Sequence, residues 1–516
     1  RRILVGWLTK ELRRAADARR NTGNGVVMRR LNRAEYQNTM TDLLGFEINY
    51  SEDLPSDARS PEGFKNNGAS LGMTALQVEN YLKIARKALD FVLVEGEQEE
   101  REITELDRNK GAIKTPQSKR FPGLSSERLG RVNFWHGAFK DLPRTGKFSI
   151  RVKAYTDRKP SQPAPILFAQ YGYFVPGLTQ NIMGDAGEIT IMSNTPEYYE
   201  IPGWPECFPL PEAHVPNDKL SGIIALQNTL DDGNPLPKAV NEVIEEKDKK
   251  GKIRKRKVKV YPEDPDFPRI IIESVEFVRN DYPSWPPPLH QRIIREGESL
   301  SDPQALEKIL ARFLRRAWRR PVNGDEMEKW LAHYERMRKQ ADTPVSALKE
   351  TLSAALASSH FLYLIEPFKS DESRKLNAHE LAARLSYFLW SSMPDEELFA
   401  LADSGRLLDT KVLGEQFKRM LADEKSDRFA DQFSMQWLDL EGVNRVAVNP
   451  QYYKDFDNRL KLDMVGETKA FFKEILRSDT SALQFLDADF TMLNATLAKH
   501  YGLSGPKSQF FERVSL

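Results

Sequence analysis

The stretch Phe148-Ser149-Ile150-Arg151-Val152-Lys153-Ala154 decides the fold class, because apolar and polar side chains alternate along it. A period of two predicts a strand with one buried and one exposed face. Further strand-like runs lie at Glu188–Met192, Tyr198–Ile201, Ile223–Leu226 and Ile270–Val278. Clusters of Pro, Gly and Asn separate these runs, and no amphipathic helix intervenes. The pattern predicts an antiparallel, jelly-roll-like β-sandwich over residues 111–282.

Helical periodicity flanks this region on both sides. Apolar residues recur at three- and four-residue spacing over 30–95, and the same spacing resumes after Trp285. The predicted helices of the second half are 303–319, 324–339, 343–364, 378–390, 395–404, 410–422, 426–440 and 456–477. We therefore expect an α+β multidomain chain, with a helical N-terminal module, the sandwich, and mainly α-helical C-terminal modules. The predicted boundaries are 1–110, 111–282, 283–366 and 367–516, with the last module continuing beyond the chain end.

Capping residues predict where two helices begin. Asn377 can accept from backbone N–H groups while Glu380 reaches back to the cap, as in a capping box. Thr74 is a second N-cap candidate at the start of a longer amphipathic helix. The segment 2–20 is also helical in pattern. Polar residues interrupt its apolar run, so it lacks the uninterrupted stretch that a signal peptide would need.

The composition is balanced in charge. The chain has 516 residues, with 76 Lys and Arg against 75 Asp and Glu, and its formal net charge is +1. A dedicated nucleic-acid binder shows a net basic field, so nucleic acid is not an expected partner. The single cysteine, Cys207, excludes a disulfide framework, a Cys-rich zinc site and C-x-x-C-H haem attachment within these residues. No apolar run of about 18 residues occurs, so no transmembrane segment is expected.

Aromatic residues of the predicted sandwich are candidates for carbohydrate binding, because the apolar face of a sugar ring can stack on an exposed aromatic ring. The candidates are Trp135, Tyr171, Tyr173 and Trp204. Sandwich cores also contain aromatic side chains, so core packing is the alternative for each of these rings.

A basic insertion, residues 247–259, interrupts the predicted sandwich and carries nine Lys and Arg. Such a charge density is suited to polyanions, and the candidate contacts are Lys252, Arg254, Lys255, Arg256 and Lys257. The alternative is a solvent-exposed hairpin, turning at Lys250-Gly251, whose charges prevent edge-to-edge aggregation.

The segment 231–234 has the oxygen-rich character of a calcium loop, with Asp231, Asp232 and Asn234 as candidate ligands. An ordinary turn is the alternative, because Asp-Gly readily supplies a positive φ. The seven histidines add no metal pattern, since none forms an i, i+4 pair. No residue is assigned a catalytic role.

Several motifs follow one another along nearly the whole chain. They are Arg29–Tyr36, Asp42–Gly45, Gly63–Asn67, Val275–Phe277, Trp285–His290, Arg315–Pro321, Ser359–Tyr363, Ala383–Trp390, Met393–Glu396, Phe490–Asn494 and His500–Gly502. Together they resemble the large multidomain proteins of planctomycetes and related bacteria that carry a c-type cytochrome module. Lys65 departs from the family pattern, which usually has an acidic residue there.

The resemblance implies an exported protein of the periplasm or cell envelope. It places c-type haem in a neighbouring module, so that electrons pass to a redox partner through that attached haem. It also implies a sandwich similar to carbohydrate-binding modules, some of which bind calcium. No cofactor is expected within this chain itself, apart from Ca²⁺ as the candidate at 231–234.

Three hypotheses of function follow. The first is an exported scaffold that supports an attached haem module and binds polysaccharide or an envelope protein partner through the sandwich. The second is a structural or assembly protein of the cell envelope, in which the motifs are packing signatures. The third is a redox or hydrolytic enzyme with a site at the interface between the sandwich and the helical modules. Whether the chain is an enzyme is left open by the sequence.

Overall fold

The computed structural model describes residues 28–68, 70–108, 126–140, 146–160, 162–174, 182–203, 221–230, 238, 240–247, 253–260, 262, 264–366, 375–449, 451–453, 456, 458–506 and 510–516. Within them, helices precede and follow a run of antiparallel strands. The predicted α+β fold with a central antiparallel sandwich is confirmed. The predicted helix over 2–20 lies outside the described residues.

The helices lie mainly in the second half of the chain. They are α1 (Arg33–Leu44), α2 (Ala75–Val92), α3 (Pro288–Gln291), α4 (Pro303–Trp318), α5 (Gly324–Arg338), α6 (Pro344–Leu356), α7 (Ser359–Leu362), α8 (Ala378–Leu389), α9 (Glu396–Asp403), α10 (Thr410–Ala422), α11 (Asp427–Trp437), α12 (Asn458–Arg477), α13 (Gln484–Asp487) and α14 (Ala495–Tyr501). Short 3₁₀ segments occur at Arg406–Leu408, Glu424–Ser426 and Leu440–Arg445.

The strands lie mainly in the middle of the chain. They are β1 (Arg29–Arg30), β2 (Glu102–Glu105), β3 (Arg128–Leu129), β4 (Phe134–Phe139), β5 (Phe148–Thr156), β6 (Ile166–Phe174), β7 (Ile182–Thr190), β8 (Glu197–Gly203), β9 (Ser221–Asn228), β10 (Val240–Lys247), β11 (Ile253–Val260), β12 (Ile270–Arg279), β13 (Tyr363–Leu364), β14 (Phe490–Leu493) and β15 (Glu512–Ser515).

The chain divides into two compact units. The helical unit comprises Arg1–Glu95, Pro288–Tyr453 and Thr468–Asp487, and the sheet unit comprises Gly96–Pro287, Lys454–Glu467 and Ala488–Leu516. Each unit is therefore assembled from separated parts of the chain. The module boundaries at 110, 282 and 366 stay a prediction.

Capping boxes fix where several helices of the helical unit begin. The Asn377 side chain accepts from the Glu380 N–H, and the Glu380 carboxylate accepts from the Asn377 N–H, as predicted. Thr74 caps α2 in the same reciprocal way, which confirms the second predicted cap. Equivalent boxes begin α1 at Asn32 and α5 at Asn323. Each box satisfies backbone donors that a helix start leaves without a partner.

One predicted helix is wrong at its C-terminal end. The segment 343–364 was expected to be a single helix, but α6 ends at Leu356 and the short α7 follows. Tyr363 and Leu364 then form β13, which pairs antiparallel with β1. The reason is tertiary, because helical spacing cannot show that Arg29 and Arg30 pair with this segment across the fold.

The sheet unit contains two antiparallel sheets. One has the order β2-β12-β5-β8, with β3 also paired to β12, and the other has the order β4-β9-β6-β7. Both sheets contribute to one hydrophobic core. Phe139 of β4 stacks on Phe277 of β12 with ring centroids 4.1 Å apart, and Phe148 of β5 meets Tyr171 of β6 edge-on at 5.9 Å. These contacts join the two sheets into a sandwich.

Strands β10 and β11 form a separate two-stranded ribbon. Their register runs from Val240 opposite Val260 to Lys247 opposite Ile253. Among the described residues, this ribbon is not hydrogen-bonded to either sandwich sheet. The pairing agrees with the hairpin alternative for 247–259, although β10 lies mostly before residue 247. The predicted turn at Lys250-Gly251 lies outside the described residues.

Candidate functional site

Two adjoining cavities form a groove on the helical unit. The larger has a volume of about 600 Å³ and the smaller about 310 Å³. Leu364, Glu366 and Arg384 line both cavities. Because they share these walls, we treat them as two lobes of one groove, whose combined size is in the range of binding sites for small molecules or short peptide segments.

The larger cavity is an apolar lobe. Its hydrophobic lining comes from β13 and from facing sides of α8 and α10: Leu364, Leu381, Leu385, Phe388, Leu413 and Phe417. The Phe388 side chain is 54% exposed and that of Phe417 is 38% exposed. Large apolar side chains at a concave surface release water when a partner covers them, so this lobe is suited to an apolar group.

The smaller cavity is a polar lobe that contains a fork-shaped ion pair. The two terminal nitrogens of Arg320 donate to the carboxylate of Glu326 at 2.9 and 2.7 Å. Hydrogen bonds from Arg320 lower the pKa of Glu326 to about 2. Glu326 is therefore ionised at neutral pH, and its charge is compensated within the lobe.

His360 lies beside this ion pair. Arg320 donates from Nη2 to His360 Nδ1 at 3.3 Å. Arginine has only donors, so Nδ1 is the acceptor and the neutral ring carries its proton on Nε2. Burial lowers the pKa of His360, and the positive charge of Arg320 lowers it further. His360 is thus a neutral ring at pH 7.

An ion pair separates the two lobes. Arg384 of α8 donates through Nε and Nη2 to the two carboxylate oxygens of Glu366, both at 2.5 Å. Half of the Arg384 side chain is exposed, but Glu366 is only 11% exposed. A ligand carboxylate entering the groove would compete with Glu366 for the same guanidinium, whereas an apolar or amide group would leave the pair intact.

His379 lines the polar lobe from the first turn of α8. Its Nε2 donates to Asp403 at 2.9 Å, and Arg315 donates to the other oxygen of the same carboxylate at 2.5 Å. Burial acts to raise the pKa of Asp403, but the hydrogen bonds from His379 and Arg315 outweigh it and hold the pKa below its ordinary value. The Asp403 carboxylate therefore holds the side chains of both His379 and Arg315 in place.

A buried network supports the floor of the groove. Arg319 donates to the Tyr387 hydroxyl at 3.1 Å, and that hydroxyl also shares a hydrogen bond with Thr39 at 2.9 Å. Arg29 forms a two-pronged pair with Glu35 at 2.7 and 2.9 Å. Burial raises the pKa of Tyr387, so its hydroxyl remains protonated. The network links α1, the end of α4 and α8.

Three carboxylates in or beside the groove are paired with arginines. The carboxylates of Glu326, Glu366 and Asp403 each accept from an arginine. Among the residues that the structure describes, no three His, Cys, Asp or Glu side chains are grouped to hold a metal ion. The lining thus combines an apolar pocket with charge-compensated polar walls.

The candidate carbohydrate-binding residues were expected to be exposed, but those that the structure describes are buried. Trp135 is 2% exposed, Tyr171 is 4% exposed and Tyr173 is fully buried, so no ring face of these residues is available for a sugar. Trp135 and Tyr171 belong to the core between the two sheets. The expectation of exposure was wrong because alternation in a strand does not say which face the other sheet covers. Trp204 lies outside the described residues.

The remaining predicted contacts are distributed as follows. Arg254, Lys255, Arg256 and Lys257 lie on β11 of the separate ribbon. Lys252 and the calcium candidates Asp231, Asp232 and Asn234 lie outside the described residues, as does Cys207.

Sequence reasoning missed the groove itself. The cluster Arg315–Pro321 was interpreted as structural, and Arg315 and Arg320 do pair with acidic residues of the helices. It also supplies Arg320 to the polar lobe. The available signal was the order of motifs: Arg315–Pro321, Ser359–Tyr363 and Ala383–Trp390 each contribute to the lining or its support.

Three segments of the chain match protein-family models. Residues 29–94 match the model PSD3, a protein of unknown function (DUF1587), and residues 305–366 match PSD5, a protein of unknown function (DUF1595). Residues 376–503 match PSD4, a protein of unknown function (DUF1592). These three domains are the planctomycete cytochrome-c-associated set. No curated protein matches the chain.

All three matched segments contribute to the groove. Arg29 and Glu35 come from the first, Trp318 through Glu366 from the second, and Asn377 through Phe417 from the third. The groove is therefore formed by all three matched domains together.

Among the described residues, no helix is both long and apolar enough to cross a membrane.

Proposed function

We propose that this chain is the scaffold portion of an exported, multidomain c-type cytochrome, and that its groove holds a segment of the attached haem module. The observation that carries the proposal is the convergence of three cytochrome-c-associated domains on one groove. A groove whose walls come from three separate domains exists only when all three are assembled, which is what a scaffold requires.

Rigidity supports a scaffold role. The Arg319 guanidinium, which is buried with its residue only 4% exposed, makes hydrogen bonds to the α7–β13 segment and to Tyr387. A platform that holds a redox module must keep the distance between partners constant. A fully satisfied buried polar network specifies one arrangement of the helices around it.

The groove chemistry indicates the kind of segment it would hold. The apolar lobe would take a large apolar side chain, with Phe388 and Phe417 closing over it. The polar lobe would take backbone amides or a polar side chain, since Glu326 and Glu366 are already paired with Arg320 and Arg384. An amphipathic polypeptide segment of the haem module has both features.

Haem would reside outside these 516 residues, because the single cysteine cannot supply a C-x-x-C-H attachment site. Electron transfer would then belong to the neighbouring module, and this chain would position that module relative to its redox partner. Location in the periplasm or cell envelope follows from the same proposal, since c-type haem modules of this kind are exported.

The first experiment is an absorption spectrum and an intact mass on the protein purified from its native source. A c-type spectrum with a mass well above 59.2 kDa, the mass of this chain, is the expected result. A mass near 59 kDa without haem absorbance, and with no haem protein co-purifying, would overturn the proposal.

A second experiment tests the groove in that same native protein. Phe388→Glu places a charge in the apolar lobe, and limited proteolysis should then release the haem-bearing fragment several times faster. Leu486→Glu is the matched control, because Leu486 is 81% exposed and does not line either lobe. Equal release from both variants would show that the haem module does not use the groove.

A second candidate function is a structural protein of the cell envelope, the motifs being packing signatures. Its specific support is that motif residues such as Arg30, Tyr36, Arg319 and Tyr387 are buried. The native mass and spectrum separate the two candidates, because the structural role requires no haem module. Polysaccharide binding through Trp135, Tyr171 and Tyr173 is not part of the proposal, since these rings are covered.

A further inference from the structure

The ribbon β10–β11 concentrates positive charge on one strand. β11 has five Lys and Arg and no acidic residue among its eight positions, and the whole chain carries only +1. The ribbon is paired only within itself among the described residues. It is therefore a charged surface that the sandwich does not use for its own sheets.

The register assigns the charges to two different faces. Residues directly opposite one another in an antiparallel pair lie on the same face, and successive residues alternate between faces. Lys255, Lys257 and Lys259 fall on one face, opposite Glu245, Val243 and Asn241. Lys247, opposite Ile253, belongs to that face too. Four lysines and one glutamate give this face a surplus of three positive charges.

The other face is balanced. Arg254 and Arg256 lie opposite Glu246 and Ile244, and Glu242 lies opposite Val258. Two arginines and two glutamates leave no surplus. The two faces of the ribbon thus differ in net charge. If the charges served only to prevent edge-to-edge aggregation, no such difference between the faces would be needed.

The lysine face is open to solvent where the structure describes its side chains. Val243, directly opposite Lys257, is 55% exposed. Asn241, opposite Lys259, is exposed as well. These two residues of β10 are therefore accessible to a partner on the face that the register shares with the lysines.

We propose that the lysine face, residues Lys255, Lys257 and Lys259 with Lys247, binds a linear acidic polysaccharide. Alternate residues of a strand are about 6.7 Å apart, so the three lysines form a single row about 13 Å long. A single row of point charges matches one extended polymer with carboxylate or sulfate groups along it. This inference is independent of the scaffold proposal and of the buried aromatic rings.

Two other polyanions are less well matched. Single-stranded nucleic acid is held by aromatic side chains that stack on bases, and residues 240–260 contain none. A lipid surface is two-dimensional, whereas the surplus here lies along one strand, with Glu245 and uncharged residues beside it on β10. Lysines rather than arginines on this face favour diffuse charge attraction over two-pronged phosphate binding.

The test measures binding of the full chain to heparin and polygalacturonate, to single-stranded DNA, and to vesicles of phosphatidylglycerol and phosphatidylcholine. The triple variant Lys255→Gln, Lys257→Gln, Lys259→Gln should bind the polysaccharide about tenfold or more weakly at low salt. The slope of its log affinity against log salt concentration should fall in magnitude by about 2 to 3. The control Lys83→Gln, Lys159→Gln, Arg445→Gln removes three exposed charges elsewhere and should change little.

A second comparison tests whether binding depends on which face of the ribbon loses its charge. Arg254→Gln with Arg256→Gln removes charge from the balanced face and should weaken binding less than the lysine variant. If the triple variant unfolds, Lys257→Gln alone should still lower the affinity. Equal affinity of the lysine variant and its control would overturn the proposal, as would binding to DNA or to vesicles but to neither polysaccharide.

Discussion

Arg319 and Tyr387 are joined by a hydrogen bond of 3.1 Å in the interior of the helical unit, although 68 residues separate them in sequence. Arg319 is the C-cap of α4 and has a left-handed backbone conformation. Its Nη2 donates to the carbonyl oxygens of His360, Phe361 and Tyr363 at 2.8, 2.9 and 2.8 Å. One guanidinium therefore fixes the α7–β13 segment and α8 together.

Replacing Arg319 tests this role. Arg319→Lys keeps the charge but cannot reach the carbonyl oxygens and the hydroxyl at once, so it should lower the free energy of unfolding by about 2 to 4 kcal/mol. Urea unfolding followed by tryptophan fluorescence measures the change. Tyr387→Phe removes only the hydroxyl and should cost about 1 kcal/mol. A smaller loss from Arg319→Lys than from Tyr387→Phe would contradict the assignment.

The buried pair between Arg30 and Asp57 should be costly to break. Their nitrogen and oxygen lie 2.9 Å apart, and each side chain is only 4% exposed. Asp57→Asn leaves the Arg30 charge without its counter-ion, so the free energy of unfolding should fall by about 3 kcal/mol or more. Asp53→Asn is the control, because the exposed Lys83–Asp53 pair at 3.4 Å should contribute less than about 1 kcal/mol. Equal losses would be inconsistent with this reasoning.

Glu326 makes stability depend on pH in the acid range. Arg320 lowers its folded-state pKa from 4.5 to about 2, so the unfolded chain binds the proton first as the pH falls. The stabilisation is complete above pH 4.5 and is lost as the pH falls through about 2. Glu326→Gln keeps a residue suited to the capping box but removes the charge.

The difference in unfolding free energy between wild type and Glu326→Gln should therefore be constant from pH 7 to 5 and shrink between pH 4.5 and 2. Denaturant titrations at successive pH values measure it. A difference that stays the same down to pH 2 would show that the ion pair with Arg320 does not cause the effect.

Gly222 tests the packing of the sandwich. It lies opposite Phe139, and a Cβ added there would be 2.1 Å from the ring. Gly222→Ala should thus displace Phe139 from its stack on Phe277 and cost about 1 to 3 kcal/mol. Gly72→Ala is the control, because nothing lies within 4 Å of a Cβ at that position. Thermal unfolding of the two variants should differ, and equal melting temperatures would argue against this packing.

Most helix starts and the strand pattern could be predicted because they depend on local chemistry. Asn377 and Glu380 satisfy backbone groups within their own turn, so the sequence contains both partners. Residues 148–154 alternate because each second side chain enters the core. The prediction of a single helix over 343–364 failed because the last residues of this segment pair with Arg29 and Arg30. No local pattern contains a partner more than 300 residues away.

The candidate site was less predictable for the same reason. Arg384 and Glu366 are close enough in sequence to suggest a pair, yet their place between two cavities depends on α8, α10 and β13 packing together. The aromatic residues of the sandwich show the converse. Trp135 and Tyr171 are of the residue types that bind sugars, and only the position of the second sheet shows that they belong to the core.

The sequence by itself determined the fold class, the caps at Thr74 and Asn377, and the resemblance to cytochrome-associated proteins, because periodicity, capping and motif order are properties of neighbouring residues. Tertiary structure alone decided which arginines are buried, which rings are covered and where the groove lies. Those properties depend on which distant surfaces meet, and the free energy of that meeting comes from burial and hydrogen bonds between residues far apart in the chain.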